Sequence, residues 1–183
     1  RLMVTRGKLN GKNYKPGLYV SIKPFYSIPS DPVKVIYLNE TNYPIIRFNP
    51  AIKSMNYLGN MLAKKDTKSQ GAFEPVFYNK DSIITECAIR NIFYIKDNVL
   101  HTPQLDLGIL GGVMRETIIE IAISLGLEVQ ERKINLSEIN SMDEAFISST
   151  GIGLLTCYWE NWKSNYNLSF KIKKELFNRI KSH

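Results

Sequence analysis

Between positions 74 and 101 the chain passes through four short runs rich in branched and aromatic residues, Glu74 to Tyr78, Ser82 to Thr85, Ile92 to Ile95 and Val99 to His101. Asp97-Asn98 separates the last two, and this pair suits the left-handed backbone of a two-residue hairpin turn. The stretch therefore reads as a meander of strands. Upstream, Leu2 to Thr5, Leu18 to Ile22 and Val33 to Tyr37 have the same character and are punctuated by Gly7, Gly11, Gly17, Pro24, Pro29 and Pro32. They too read as strands joined by turns.

Helical spacing alternates with these runs. From Ser54 to about Ser69 the apolar positions Met55, Leu58, Met61 and Leu62 recur at helical intervals, and Gly71 supplies the stop. Val113 to Leu125 carries a second stripe of Val113, Ile118, Ile121, Ala122 and Leu125, closed by Gly126. Leu127 to Glu131 returns as a strand, Ser137 opens a short helix, Ala145 to Ser148 is a strand, and Leu168 to Ile180 is a closing helix.

With 183 residues, 44% of them hydrophobic, the chain can bury a substantial core as one domain or two tightly joined lobes. No apolar run approaches bilayer length and the opening residues lack a secretory layout, so a soluble, cytoplasmic protein is expected. A reducing compartment accounts for the two cysteines, Cys87 and Cys157, as well as a disulfide would. His101 and His183 are the only histidines, and no Cys/His cluster has metal-ligand spacing, so no metal site is expected. The net charge of +7 raises the question of a polyanion partner. Its lysines are scattered, with one denser set at Lys171, Lys173, Lys174, Arg179 and Lys181, a pattern that reads as solvated faces and not as a nucleic-acid site.

Three positions invite chemistry. Lys53 lies where a proline-bearing segment gives way to a helix, with Tyr57 one turn on; if buried, its amine loses affinity for a proton and becomes a nucleophile or base, and if exposed it is one lysine among many. Glu86 ends the run Ile83-Ile84-Thr85. Held inside a sheet it can pair with a protonated ring nitrogen; otherwise it is a surface acid at a strand end. Gly111-Gly112 leads into a helix whose first backbone amides lack partners, which describes either a phosphate cradle or a plain turn.

In order and spacing these three sites resemble the fold type IV (class IV) pyridoxal-phosphate enzymes, the group of branched-chain and D-amino-acid transaminases and aminodeoxychorismate lyase. The matching segments are VTRG at Val4–Gly7, IKSMNYLGNMLA from Ile52, ITECAIRNIFYIKDNVLHTPQLDLGILGGVMRE from Ile84, and MDEAFISST ending at Thr150. The resemblance implies an α+β fold, the large C-terminal domain of the D-amino-acid aminotransferase type, with a meandering, partly closed sheet and external helices. It implies pyridoxal 5′-phosphate as cofactor and a homodimer. Lys53 is then the lysine that condenses with the cofactor carbonyl and moves the substrate proton, and Glu86 the acid facing the pyridine nitrogen. Gly112, Val113 and Met114, with Ser149 and Thr150, correspond to the phosphate-binding segments, and Tyr57 to the tyrosine bonding the phenolic oxygen. Gly151 and Ile152 fall where backbone amides meet the substrate carboxylate.

The details TEC, TPQLD and the Met in GGVMR look most like aminodeoxychorismate lyase, whereas Ser148-Ser149-Thr150 looks more like D-amino-acid transaminases. The implied substrate is thus aminodeoxychorismate or an amino acid. Two departures qualify the match. The family's smaller N-terminal domain is expected to be absent, leaving 1–183 as one cofactor-binding domain; and Leu154 to Asn167 carries Cys157, Tyr158, Trp159 and Trp162 in place of the usual proline and glycine-rich turn. Arg90 is unusual in the loop after Glu86, and reads as a contact for a second substrate carboxylate or as an exposed charge.

Overall fold

Gly11 marks the reversal between the first two strands, whereas Gly7 and Gly17, expected at turns, lie inside them. In the computed structural model, which describes residues 2–22, 24 and 27–181, the strands are β1 (Leu2–Asn10), β2 (Asn13–Val20), β3 (Val33–Asn39), β4 (Glu74–Tyr78), β5 (Ile84–Cys87), β6 (Asn91–Lys96), β7 (Val99–Pro103), β8 (Glu128–Arg132), β9 (Glu144–Ser149) and β10 (Gly153–Tyr158). The helices are α1 (Leu58–Ser69), α2 (Val113–Ser124) and α3 (Asn167–Lys181), and His183 lies outside the described residues. Asp97 and Asn98 adopt φ of 50° and 63°, as the turn between β6 and β7 requires.

β1 and β2 form a separate two-stranded antiparallel sheet. Gly7, at φ 81°, sits at its irregularity, where a Cβ would fall 1.5 Å from the Lys15 carbonyl oxygen. Leu2, Val4, Leu18 and Val20 pair across it and are all exposed.

The remaining eight strands make one sheet in the order β5-β4-β3-β10-β9-β6-β7-β8. β3 runs parallel to both β4 and β10, β7 runs parallel to β8, and the other pairings are antiparallel. The stretch from 74 to 101 is therefore two hairpins and not one meander: β3, β10 and β9 lie between them. The missing element in the sequence reading was β10. Its Leu154, Leu155, Thr156 and Cys157 are all buried, so the strand shows no alternation of polar and apolar residues. The sheet curls into a half-barrel, with β5 brought back towards β6 and β7.

One sheet face carries α2 and α3. Ile118, Ile121 and Ala122 of α2 meet Ile172 and Leu176 of α3 over Phe93, Phe146 and Leu154, and each such Ile or Leu contributes about 1.5–3 kcal/mol by leaving water. Val113 and Leu125, at the ends of the expected α2 stripe, are exposed. Glu144, itself buried, accepts from the Leu168 and Ser169 amides at 2.8 and 2.7 Å and so caps the start of α3.

α1 corrects the sequence reading twice. It begins at Leu58 and not Ser54, because the Ser54 hydroxyl draws the Asn56 amide into a local turn at 3.2 Å. Its buried positions are Gly59, Ala63 and Thr67, while Met55, Leu58, Met61 and Leu62 are exposed. A Cβ on Gly59 would lie 2.6 Å from the Pro44 carbonyl, so backbone proximity selects the small-residue face.

Candidate active site

Four segments converge on a cavity of about 430 Å³: the irregular chain from Ile45 to Tyr57, the loop from Glu86 to Asn91, the entry to α2, and the end of β9. Lys53, Tyr57, Glu86, Gly112, Val113, Met114, Ser149 and Thr150 all line it, as does Arg90. Residues far apart in sequence thus meet in one place.

Glu86 sits within β5, and its carboxylate pairs with Arg47 Nη1. Arg47 Nη2 also reaches Glu40 Oε2 at 2.7 Å and Thr85 Oγ1 at 3.0 Å, and the Thr85 hydroxyl donates to Glu40 at 3.1 Å. Burial pushes the Glu86 carboxyl above its ordinary value; Arg47 and a hydrogen bond from the Leu110 amide pull it back down, and nearby Glu40 pushes it up. Glu86 is therefore a cavity acid held by a cation, and not a surface strand-end carboxylate. The hold leaves it further acceptor capacity, since a carboxylate has about four lone-pair sites.

α2 enters the cavity wall through Gly111-Gly112. Gly112 is its N-cap and offers no side-chain bond, and the helical ladder opens with the Glu116 amide donating to the Gly112 carbonyl at 3.1 Å. The amides of Val113, Met114 and Arg115 precede that first bond and stand at the positive end of the helix. Asn91, unnoticed in the sequence, donates to the Ser148 hydroxyl at 3.1 Å and its carbonyl at 3.3 Å, tying β6 to β9 beside this entry.

Other candidates fall differently from expectation. Lys53 lines the cavity but is exposed, because the chain before Leu58 is irregular and no helix face covers it. Tyr57 is the half-buried N-cap of α1 and not a residue one helical turn beyond the lysine. Gly151 and Ile152 do not line the cavity: the Ile152 amide donates to the Ser149 carbonyl at 3.2 Å and its side chain is in the core. Arg90 is buried, not exposed, with Nη1 paired to the fully buried Glu74 and its guanidinium 4.5 Å from the Phe73 ring centre. Arg47 and Glu40 were missed altogether. No periodicity marks either residue, and only the fold brings them to Glu86.

The donor set can be tested against a pyridoxal phosphate. An amine, a carboxylate with raised proton affinity, uncapped helix amides and two hydroxyl side chains match its carbonyl, ring nitrogen and phosphate in kind. The residues fit the group. Among the described residues no set of three or more His, Cys, Asp or Glu could hold a metal ion, and no helix is long and apolar enough to cross a membrane.

Comparison with known proteins gives the family and the fold. The Amino-transferase class IV family model matches residues 1–157. A D-alanine aminotransferase of Listeria monocytogenes serotype 4b is 35% identical over 161 residues, which cover 82% of this chain and 54% of the relative. An aminodeoxychorismate lyase of Bacillus subtilis is 36% identical over 104 residues, covering 57% of this chain and 36% of the relative. In three dimensions a branched-chain aminotransferase from Thermoproteus uzoniensis superposes with a TM-score of 0.82 at 24% identity, over 93% of this chain and 59% of the other. The branched-chain amino acid aminotransferase from Thermobaculum terrenum in its PLP form gives 0.77 at 23%, over 92% and 58%. The D-alanine aminotransferase match thus spans about half the length of that relative. The chain belongs to the aminotransferase class IV family, whose members are pyridoxal-phosphate-dependent enzymes.

Proposed function

We propose that the cavity binds pyridoxal 5′-phosphate with Lys53 as its covalent amine, and that the protein is a 4-amino-4-deoxychorismate lyase. The observation that carries the cofactor reading is that Lys53, Glu86 and the first turn of α2 line one cavity. When bound, the cofactor supplies an electron-accepting ring for charge left at a substrate carbon. Glu86, kept in place by Arg47, would hold the ring-nitrogen end of the cofactor and keep a proton there. The Val113 and Met114 amides, with Ser149 and Thr150, would hold its phosphate, and Tyr57 would orient its phenolic oxygen. Lys53 would be the amine that moves the substrate proton; because it is exposed in this structure, that role is supported by its motif and its place on the cavity wall and not by burial.

In the lyase reaction the substrate loses a ring proton to Lys53. The carbon–oxygen bond to the enolpyruvyl group then breaks, enolpyruvate departs with that electron pair and takes up one proton, matching the one lost from the ring, to become pyruvate, and the pair left on the ring carbon completes the aromatic ring of 4-aminobenzoate. Met114, a thioether at the cavity wall, favours this reading because the lyase pattern has methionine there. A second reading, an amino-acid transaminase, rests on Ser149 and Thr150 at the same wall. The reading includes a homodimer. The test of reaction is incubation with aminodeoxychorismate and, separately, with D-alanine and 2-oxoglutarate. Pyruvate and 4-aminobenzoate from the first alone support the lyase; D-glutamate from the second replaces it with the transaminase.

A further inference from the structure

A second, small cavity of about 10 Å³ shares three wall residues with the large one, Glu86, Asn91 and Leu110. Thr85, Thr102 and Arg115 supply the rest of its polar lining. The space suits one water molecule, which needs on the order of 10–15 Å³ and two to four polar partners. Arg115 does not line the large cavity. It is the third residue of α2 and is buried, and its Nη2 donates to the Pro103 carbonyl at 2.9 Å and to Glu131 Oε2 at 2.8 Å. Its Nε, also buried, has no hydrogen-bond partner within the protein. A buried donor on a cation is costly to leave unmade, so a wall that carries one beside a water-sized space points to a bound water.

The acceptors for that water follow by elimination. Asn91 gives its amide nitrogen to Ser148, and the Thr85 hydroxyl donates to Glu40 while accepting from Arg47. The Thr102 hydroxyl donates to the Ile92 carbonyl at 3.1 Å, which leaves its oxygen free to accept. The Glu86 carboxylate takes Arg47 and the Leu110 amide and has lone pairs to spare. One donor, Arg115 Nε, and two acceptors, Glu86 and Thr102, make up the three bonds typical of a buried water.

We propose that the small cavity binds one water molecule that accepts from Arg115 Nε and donates to the Glu86 carboxylate and the Thr102 hydroxyl, making Arg115 a positioning residue for Glu86. Its bearing on catalysis rests on the pyridoxal-phosphate reading given above. Arg115 directly follows Val113 and Met114 in the first turn of α2, so one side chain ties the helix start proposed for the phosphate to the acid proposed for the ring nitrogen. A bridging water relays a cation's hydrogen bond nearly as well as direct contact and favours the charged carboxylate. It acts alongside Arg47 and against Glu40; Lys53 and Arg90 are the other charged residues on the large cavity's wall.

The first test uses the wild type. A high-resolution crystal structure should show an ordered water within hydrogen-bonding distance of both Arg115 Nε and a Glu86 carboxylate oxygen; a water that misses either, or none, overturns the proposal. The second follows the Glu86 carboxyl by carbon NMR of glutamate-labelled protein, its resonance identified by its loss in Glu86→Gln. Arg115→Met should raise the Glu86 titration midpoint by about one pH unit, and Arg115→Lys by less, because lysine keeps the charge and lacks the Nε–H. A merely structural Arg115 leaves the midpoint unmoved, and that result overturns the proposal. A wild-type midpoint in Arg115→Lys with a shift in Arg115→Met assigns the effect to charge alone and removes the water link. Both measurements are made without pyridoxal phosphate, whereas the cofactor reading fails by absence of a Lys53-dependent visible band, so the two failures are told apart.

Discussion

Arg47 holds Glu86 with one guanidinium nitrogen and Glu40 with the other, so a single cation stands between two carboxylates at the cavity wall. Replacing it with glutamine leaves the acids facing each other. Both partners are partly open to solvent, with side-chain exposure of 21% for Arg47 and 25% for Glu86, which screens the effect. Arg47→Gln is expected to destabilise the fold by about 1–3 kcal/mol in urea unfolding near neutral pH. It should also raise the Glu86 carboxyl further, so protonation favours the folded variant more strongly than the folded wild type. The deficit should therefore shrink as pH is lowered towards about 5. A deficit that grows on acidification contradicts this account of the pair.

His101 supplies a second pH prediction. It is buried, and its ring accepts from Arg132 Nε at 3.2 Å. Burial first, and then Arg132, lowers its proton affinity below the ordinary value. A group whose folded pKa is depressed resists protonation in the fold, so the stability it contributes is present above its unfolded value of about 6.5 and is lost as pH falls through the folded one. Urea midpoints of wild type and His101→Gln, compared at about pH 7.5 and 5.5, should show the wild type losing more stability on acidification. Equal losses would mean that His101 does not titrate in this window.

The cap on α3 depends on one buried acid. Glu144 accepts from the Leu168 amide, the Ser169 amide and, at 2.6 Å, the Ser169 hydroxyl. Glu144→Ala orphans these donors and should cost about 2–4 kcal/mol, seen as a lower urea midpoint with an unchanged slope. A loss below about 0.5 kcal/mol would show that water replaces the cap.

Gly59→Ala tests why α1 turns its small-residue face inward. The added methyl meets the Pro44 backbone, which cannot move aside as a flexible side chain would. A loss of about 1–3 kcal/mol is expected, against the small gain that alanine brings to an unhindered helix. Stabilisation would contradict the close approach.

The parts of the fold that local chemistry dictates were legible in the chain. Asp97-Asn98 specified the hairpin, Gly126 at φ 81° closed α2, and Ile118, Ile121 and Ala122 marked its buried face. α1 was misread because its apolar stripe is the exposed one, and a contact made by a missing side chain at Gly59 leaves no hydrophobic signal. β10 was hidden because burial erases the period-two pattern. At the site, Lys53, Glu86 and Gly112 could be named from ordered motifs, but Arg47, Glu40 and Asn91 act through tertiary placement alone. Arg90 was visible as an anomaly. Its burial and its shared acid belong to the fold.

The most direct test of the central claim, that Lys53 is the amine holding pyridoxal phosphate in this cavity, is reductive trapping. Protein incubated with the cofactor should develop a visible absorbance band that borohydride bleaches, and peptide mass spectrometry should then find the reduced adduct on Lys53. Lys53→Ala should show neither band nor adduct. An unchanged band in Lys53→Ala, or an adduct on another lysine in the wild type, would contradict the assignment.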